Sequence, residues 1–318
     1  MRQISLEEYQ QRYRDRLGPG LEGLRLFETE AEDLHLPRRD PISHKYSYGR
    51  ALIVAGSRGY SGAPVLAANA CERAGAGLTQ LLVPESIYTI AAMRCDGAVV
   101  KPLPSDGEGG FSASALPELL PLLNRASACV LGPGLGPGEG ARELVGRILQ
   151  EAECPLVLDA DGLTACAKEP GLLDDCRAPL ILTPHEGEFR RLDGDLTEGR
   201  LAGALRFSAA HPQVILILKG CGTLIVSGGE AVVNPTGGPA MAKGGAGDVL
   251  CGVLAALLAQ GFEPRFSARC AVYLHGLAGD LAAKELGEYC LAPSDLIAFL
   301  PRAFAAVLNN MGKEAERT

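Results

Sequence analysis

The hydrophobic pattern of the chain changes character near residue 45. Beyond it, continuous apolar runs rich in Val, Ile and Leu recur at 51–55, 78–83, 129–131, 156–158, 180–182 and 214–218. Continuous rather than alternating runs of this length predict strands buried on both faces of a parallel sheet. Ala- and Gly-rich stretches with helical spacing fall at 63–75, 141–151 and 187–192, and again at 248–260 and 267–286. Residues 223–227 and 230–234 flank Gly228-Gly229 and predict an antiparallel hairpin. No repeat or low-complexity linker interrupts this order, so an α/β fold with a mostly parallel central sheet is expected.

Residues 1–40 read as a separate lead-in: a charged helical segment, then the loop LPRRDP, where prolines and like charges oppose any continuing helix. The core is expected to begin near Tyr46, giving an N-terminal extension over 1–40 and one domain over 41–318. Within that domain, nearly every unusual polar or glycine-rich segment directly follows a predicted strand. These are Gly56–Gly62, Gly132–Gly136, Asp159–Asp161, Thr183–Glu188 and Lys219–Thr223. In an open parallel sheet such positions share the carboxyl edge of the strands, where ligands bind.

Composition narrows the function classes. The net charge is −8 and no Lys/Arg-rich tract occurs, so the footprint of a nucleic-acid binder is missing. The longest stretch free of Asp, Glu, Lys and Arg is Val249–Phe262, short of the roughly 20 apolar residues a membrane helix needs. The N-terminus lacks the apolar core of a secretory signal, and ten cysteines stand singly with no C-x-x-C pair. A cytoplasmic protein with reduced, mostly buried thiols is expected. The match of Gly18–Gly23 to G-x-G-x-x-G follows a charged helix and opens no βαβ unit, so it predicts no dinucleotide site.

The most informative segment is N-P-T-G-G-P-A-M-A-K-G-G-A-G-D, residues 234–248, which runs straight into the apolar helix VLCGVLAALLAQ. Glycines let backbone N–H groups approach an anion, and a helix N-terminus adds its positive dipole end. That predicts a phosphate site ending on Asp248, a residue that an ordinary N-cap role would also explain.

Here the residues carry a resemblance. G-G-A-G-D opening an Ala/Leu-rich helix resembles the anion hole of ribokinase-like enzymes, and the longer string resembles the NAD(P)H-hydrate dehydratases of that superfamily. The likeness continues in order through HKYSYGR, AGSRGYSGAPVLAA, LGPGLG, LDADGL, LTPHEGEFRRL, LKGCGT and HGLAGDLAA. It implies a three-layer α/β/α sandwich and repair of hydrated NADH or NADPH at the expense of ADP or ATP with Mg2+. Asp248 would be the catalytic base. Lys219, Gly220, Cys221, Gly222 and Thr223, with Gly245, Ala246 and Gly247, would hold the nucleotide. Ala63, Gly134, Gly136, His185 and Asp248 would contact the hydrated cofactor, and Glu188 would organise Mg2+ through water.

Each assignment has a plainer alternative: Glu188 as a first-turn carboxylate, Lys219 in a surface pair, His185 as structural, Asp159 and Asp161 as turn and cap residues. The chain departs from the family's usual pattern at Tyr46, Glu186, Gly238, Lys243 and Ala246. Ala246 keeps its backbone donor, and Lys243 is expected to add positive charge beside the phosphates. The resemblance further implies a homo-oligomer, with a tetramer favoured, and a separate epimerase, since residues 1–40 are too short for one. A hydroxyethylthiazole or hydroxymethylpyrimidine kinase on the same fold, or a noncatalytic nucleotide sensor, are the competing readings.

Overall fold

The computed structural model describes residues 1–21, 23–169 and 171–315, with side chains as far as Asn309; Glu22 of the G-x-G-x-x-G match lies outside them. Its strands are β1 (Arg2–Gln3), β2 (Leu26–Glu28), β3 (Arg50–Val54), β4 (Leu78–Pro84), β5 (Val99–Leu103), β6 (Ala128–Leu131), β7 (Leu156–Leu158), β8 (Leu180–Leu182), β9 (Val214–Leu218), β10 (Leu224–Ser227) and β11 (Glu230–Val233). Its α-helices are α1 (Leu6–Tyr13), α2 (Gly62–Arg73), α3 (Tyr88–Ala92), α4 (Leu116–Leu123), α5 (Glu139–Glu151), α6 (Asp161–Lys168), α7 (Leu172–Asp175), α8 (Glu186–Arg191), α9 (Arg200–Ala210), α10 (Ala246–Ala259), α11 (Pro264–Leu286) and α12 (Pro293–Ala315).

All strands join one sheet in the order β1-β2-β11-β10-β9-β8-β7-β6-β3-β4-β5. The run from β9 to β5 is parallel throughout, and β10 turns back on β9 before pairing with β11. Alternate residues of each strand serve opposite faces: Ala51 and Ile53 pack under α2, α10, α11 and α12, while Leu52 and Val54 join the layer of α4 to α9. The expected sandwich with a mostly parallel sheet is therefore present.

The expected start of the core near Tyr46 is corrected. β2 pairs in parallel with β11, and Tyr9, Leu26 and Leu34 are buried. The lead-in adds strands and core because its few apolar residues are spaced to meet the sheet edge, although charged neighbours mask them in a window average. β5 was also not apparent from sequence: it is an edge strand, and Lys101 and Pro102 break its apolar run.

Strand order reverses between β3 and β6, a switch point of the kind that forms a crevice at the carboxyl edge of a parallel sheet, and the loops after these two strands meet there. Beside it α2 and α10 pack at very close range. A Cβ at Gly252 would overlap the Ala67 carbonyl oxygen and lie 2.7 Å from Ala70 Cβ. At the other end of the pair, a Cβ at Gly245 would lie 2.8 Å from Leu66 Cδ1. Small residues thus bring the two helix N-termini together at the crevice. Gly252→Ala is expected to force these helices apart and cost about 1–3 kcal/mol, read from the midpoint of a urea unfolding curve.

Candidate active site

The site is assembled from the carboxyl ends of β3, β6, β7, β8 and β9 and from the start of α10. Asp159, just after β7, is buried, and its Oδ1 accepts hydrogen bonds from Lys219 Nζ at 2.6 Å and Thr183 Oγ1 at 2.8 Å. Lys219 follows β9, and its amine also lies 3.8 Å from Glu188 Oε2. Burial opposes the Lys219 charge, but Asp159 and Glu188 outweigh it and raise the pKa, so the ammonium is retained. The pairing is therefore an interior charge cluster, not the surface pair that was the plainer alternative for Lys219.

This cluster sits directly against α10. A Cβ on Gly247 would lie 3.3 Å from Lys219 Nζ and 3.5 Å from Asp159 Oδ2. Gly245 has φ +98°, a conformation that L side chains rarely adopt, and it delivers the chain into the first turn of α10. The Ala246 N–H donates to the Lys243 carbonyl at 3.4 Å, while the Gly247 and Asp248 N–H groups have no intrahelical acceptors, which suits them to an anion.

Asp248 occupies the same turn. Burial is the main cause that pushes its carboxyl up to about 7, the negative charge of Asp159 adds to the rise, and Lys219 partly offsets it. Gly245 is the N-cap of α10, so the plain capping role for Asp248 does not hold. A carboxylate that takes up a proton near neutral pH is suited to general-base work.

His185 is exposed and caps α8. Its Nδ1 accepts from the Gly187 and Glu188 N–H groups at 2.9 and 3.2 Å, while Glu188 Oε2 accepts from the His185 N–H at 2.8 Å. This reciprocal box fixes Glu188, buried, beside Lys219. The Lys219–Thr223 loop closes through Thr223 Oγ1, which donates to the Gly220 carbonyl at 3.0 Å. Arg200 covers the loop from α9, donating to the carbonyls of Cys221 at 2.6 Å and Leu218 at 3.1 Å.

Across the crevice, Ala63, Gly134 and Gly136 come together. A Cβ on Gly134 would lie 3.3 Å from Ala63 Cβ and 2.9 Å from Tyr60 Cβ. Ser57 Oγ donates to the Gly134 carbonyl at 2.8 Å, and the Gly136 N–H donates to Asp161 Oδ2 at 2.8 Å. Tight loop contact, which side chains at these glycines would block, shapes this wall.

The structure changes the weight of several residues. Asp159 moves from a second-rank candidate to the centre of the charge cluster, and LDADGL after a strand was its signal. Arg200 had none, because α9 carries no recognisable motif. His275, from HGLAGDLAA, is buried, and burial pulls it down to about 4, so it is neutral behind the start of α10. Lys243 also has a structural role: its amine donates to the carbonyls of Tyr289 at 2.8 Å and Leu291 at 2.5 Å, which ties down the α11–α12 connection.

Comparison with known proteins agrees with this geometry. The sequence profile described as NAD(P)H-hydrate dehydratase matches residues 51–302. The chain belongs to that family. It is 41% identical over 286 residues to the bifunctional NAD(P)H-hydrate repair enzyme Nnr of Moorella thermoacetica, covering 88% of this chain and 53% of that protein. It thus spans about half the length of the curated relatives it matches. Among solved structures, the ADP/ATP-dependent NAD(P)H-hydrate dehydratase of Bacillus subtilis, co-crystallised with ATP and Mg2+, superposes with a TM-score of 0.77 at 31% identity, covering 90% of this chain and 99% of that one. A ribokinase-like superfamily protein of Enterococcus faecalis gives 0.78 at 28% identity, covering 89% and 96%. No helix of the described residues is long and apolar enough to cross a membrane.

The family member's buried Asp248 has a defined pH signature. Its folded-state pKa exceeds the ordinary 3.8, so stability it contributes when protonated is lost as pH rises through about 7. Asp248→Asn should therefore melt higher than the parent above pH 7 while losing about a thousandfold in turnover. The parent's kcat/KM should rise with pH through an apparent pKa near 7. Lys243→Thr is expected to lose about 1–3 kcal/mol of stability in denaturant titration, with nucleotide affinity by calorimetry kept within about twofold.

Proposed function

We propose that this chain dehydrates the S form of hydrated NADH or NADPH back to NAD(P)H, using ADP or ATP and releasing phosphate with AMP or ADP. The observation that carries this reading is Asp248: a buried carboxyl, titrating near neutrality, set in the first turn of α10 beside an anion-binding backbone. Family membership supplies the substrate class.

Asp248 takes the proton from the C6 hydroxyl of the hydrated ring as that oxygen attacks the terminal phosphorus of the nucleotide. The N–H groups of Gly247 and Asp248, with the Lys219 ammonium beneath them, stabilise charge on the transferring phosphoryl oxygens. Phosphate is a far better leaving group than hydroxide. Electrons released from the ring nitrogen expel it, and loss of a neighbouring C5 proton restores the double bond. Lys219–Thr223, with Gly245, Ala246 and Gly247, holds the nucleotide. Ala63, Gly134, Gly136 and His185 hold the hydrated cofactor against Asp248.

A hard cation suits the buried oxygen donors beside Lys219: Glu188, with Asp159 near it, would hold Mg2+ through water, where it would neutralise nucleotide phosphate charge. The domain over 41–318 carries this chemistry. Ten free cysteines, eight of them buried, suit a cytoplasmic setting. Bifunctional repair relatives of about twice the length support a functional link to an epimerase that supplies the S form. Self-association, with a tetramer favoured, would suit closure of the site.

Protein mixed with Mg2+, ATP or ADP and hydrated NADH should restore reduced-nicotinamide absorbance, with one phosphate released per cofactor repaired. Phosphorylation of a thiazole or pyrimidine alcohol with no such recovery would overturn the assignment.

A further inference from the structure

We infer that residues Tyr13–Arg16 of the N-terminal segment are a positioning element for the adenine-nucleotide loop Lys219–Thr223. This rests on the reading of that loop as the nucleotide site. Two lines of contact meet there. Directly, the Tyr13 ring lies flush against Gly222, where a Cβ would collide with it, and the Tyr13 hydroxyl donates to Glu28 Oε2 at 3.1 Å. Gly222 has φ +61°, so both its backbone and the space it leaves suit the ring.

Indirectly, Asp15 acts through Arg200. α9 begins after Gly199, which has no side chain to cap it. Asp15 supplies the cap from a distance of 185 residues, accepting from the Arg200 N–H at 2.9 Å and the Leu201 N–H at 3.0 Å. The Tyr9 hydroxyl donates to the same carboxylate at 2.8 Å, and the Arg16 carbonyl fills the space a Cβ on Gly199 would need. Arg200, aimed by this cap, then holds the carbonyls of Leu218 and Cys221 on either side of the loop. Gly220 leaves room for the guanidinium, since its Cβ would lie 2.7 Å from Arg200 Nη2.

The space between the segment and the loop is a cavity of about 340 Å³ at the carboxyl edge of the sheet. Arg14, Arg16, Arg190 and Arg200 line it with Cys221, against two acids, Asp15 and Glu186. Glu186 pairs with Arg190 and Arg200 at 3.4 Å each, and the Asp15 carboxylate sits among neutral N–H and O–H donors, so four arginines stand against two acids. On a chain of net charge −8 this is a positive mouth opening on the nucleotide loop, and it would draw in a polyanion. The segment therefore sets the loop's shape and raises the local potential, while touching none of the reacting atoms.

Tyr13→Ala, Tyr13→Phe and Asp15→Asn separate this role from a merely structural one. Calorimetry with Mg-ADP and Mg-ATP should show Tyr13→Ala and Asp15→Asn weakened roughly fivefold or more, with Tyr13→Phe within about twofold of the parent. In turnover, the nucleotide KM should rise by the same factor, with kcat and the KM for hydrated NADH little changed. Equal nucleotide affinity in parent and Tyr13→Ala, or a parallel loss in both substrates that follows only the melting temperature, would overturn the inference. A parent that binds nucleotide but repairs no cofactor would sink the proposed reaction and leave the positioning role standing if Tyr13→Ala still binds more weakly.

Discussion

The arrangement at the start of α10 depends on a charge cluster placed where charges are expensive. Lys219 lies between two buried carboxylates, Asp159 and Glu188, and under the first turn of α10. Removing Lys219 would leave Asp159 and Glu188 buried and unpaired, a cost of about 3–5 kcal/mol. The cluster is therefore tolerated only as a unit. In return it holds a cation rigidly beneath the first turn of α10, and it holds a negative charge close enough to Asp248 to help raise that residue's pKa. The Lys219 charge and the raised pKa of Asp248 are set by the same group of side chains.

That arrangement depends on close backbone approach. The loops after β3 and β6 meet because the Gly56 N–H donates to the Pro133 carbonyl at 2.9 Å and because Gly134 leaves room for Tyr60. The helices behind them meet because Ala67, Ala70 and Gly252 have almost no side chain. Much of this close packing is written in what is missing: Cβ atoms at Gly245, Gly247 and Gly252.

The N-terminal segment extends this logic to the far side of the sheet. It adds β1 and β2 beyond the hairpin, buries Tyr9 and Leu26, and spends its charged residues on caps and pairs: Ser5 on α1, Asp15 on α9, and Arg2 and Arg12 on Glu28. Burial disfavours the Glu28 charge, but these two arginines prevail and hold its carboxyl below the usual range. What reads as a solvated lead-in is a polar seam between the sheet edge and the Lys219–Thr223 loop.

The sequence by itself determined the parallel core, because strands buried on both faces must be apolar at every position, as LIV, LLV, LVL, LIL and VILIL are. It also determined the glycine-rich turn before Asp248, because only glycine reaches φ near +98° without strain and no other local structure needs that string. Those constraints act on each residue alone. Tertiary structure decided the rest. Asp159, Lys219 and Glu188 lie far apart along the chain, and only the strand order that aligns β7, β8 and β9 makes them one cluster. Lys243 went to the carbonyls of Tyr289 and Leu291, because a long flexible cation takes the acceptors that folding leaves within reach. Arg200 and Asp15 acquired their places in the same way, through partners that no local pattern encodes.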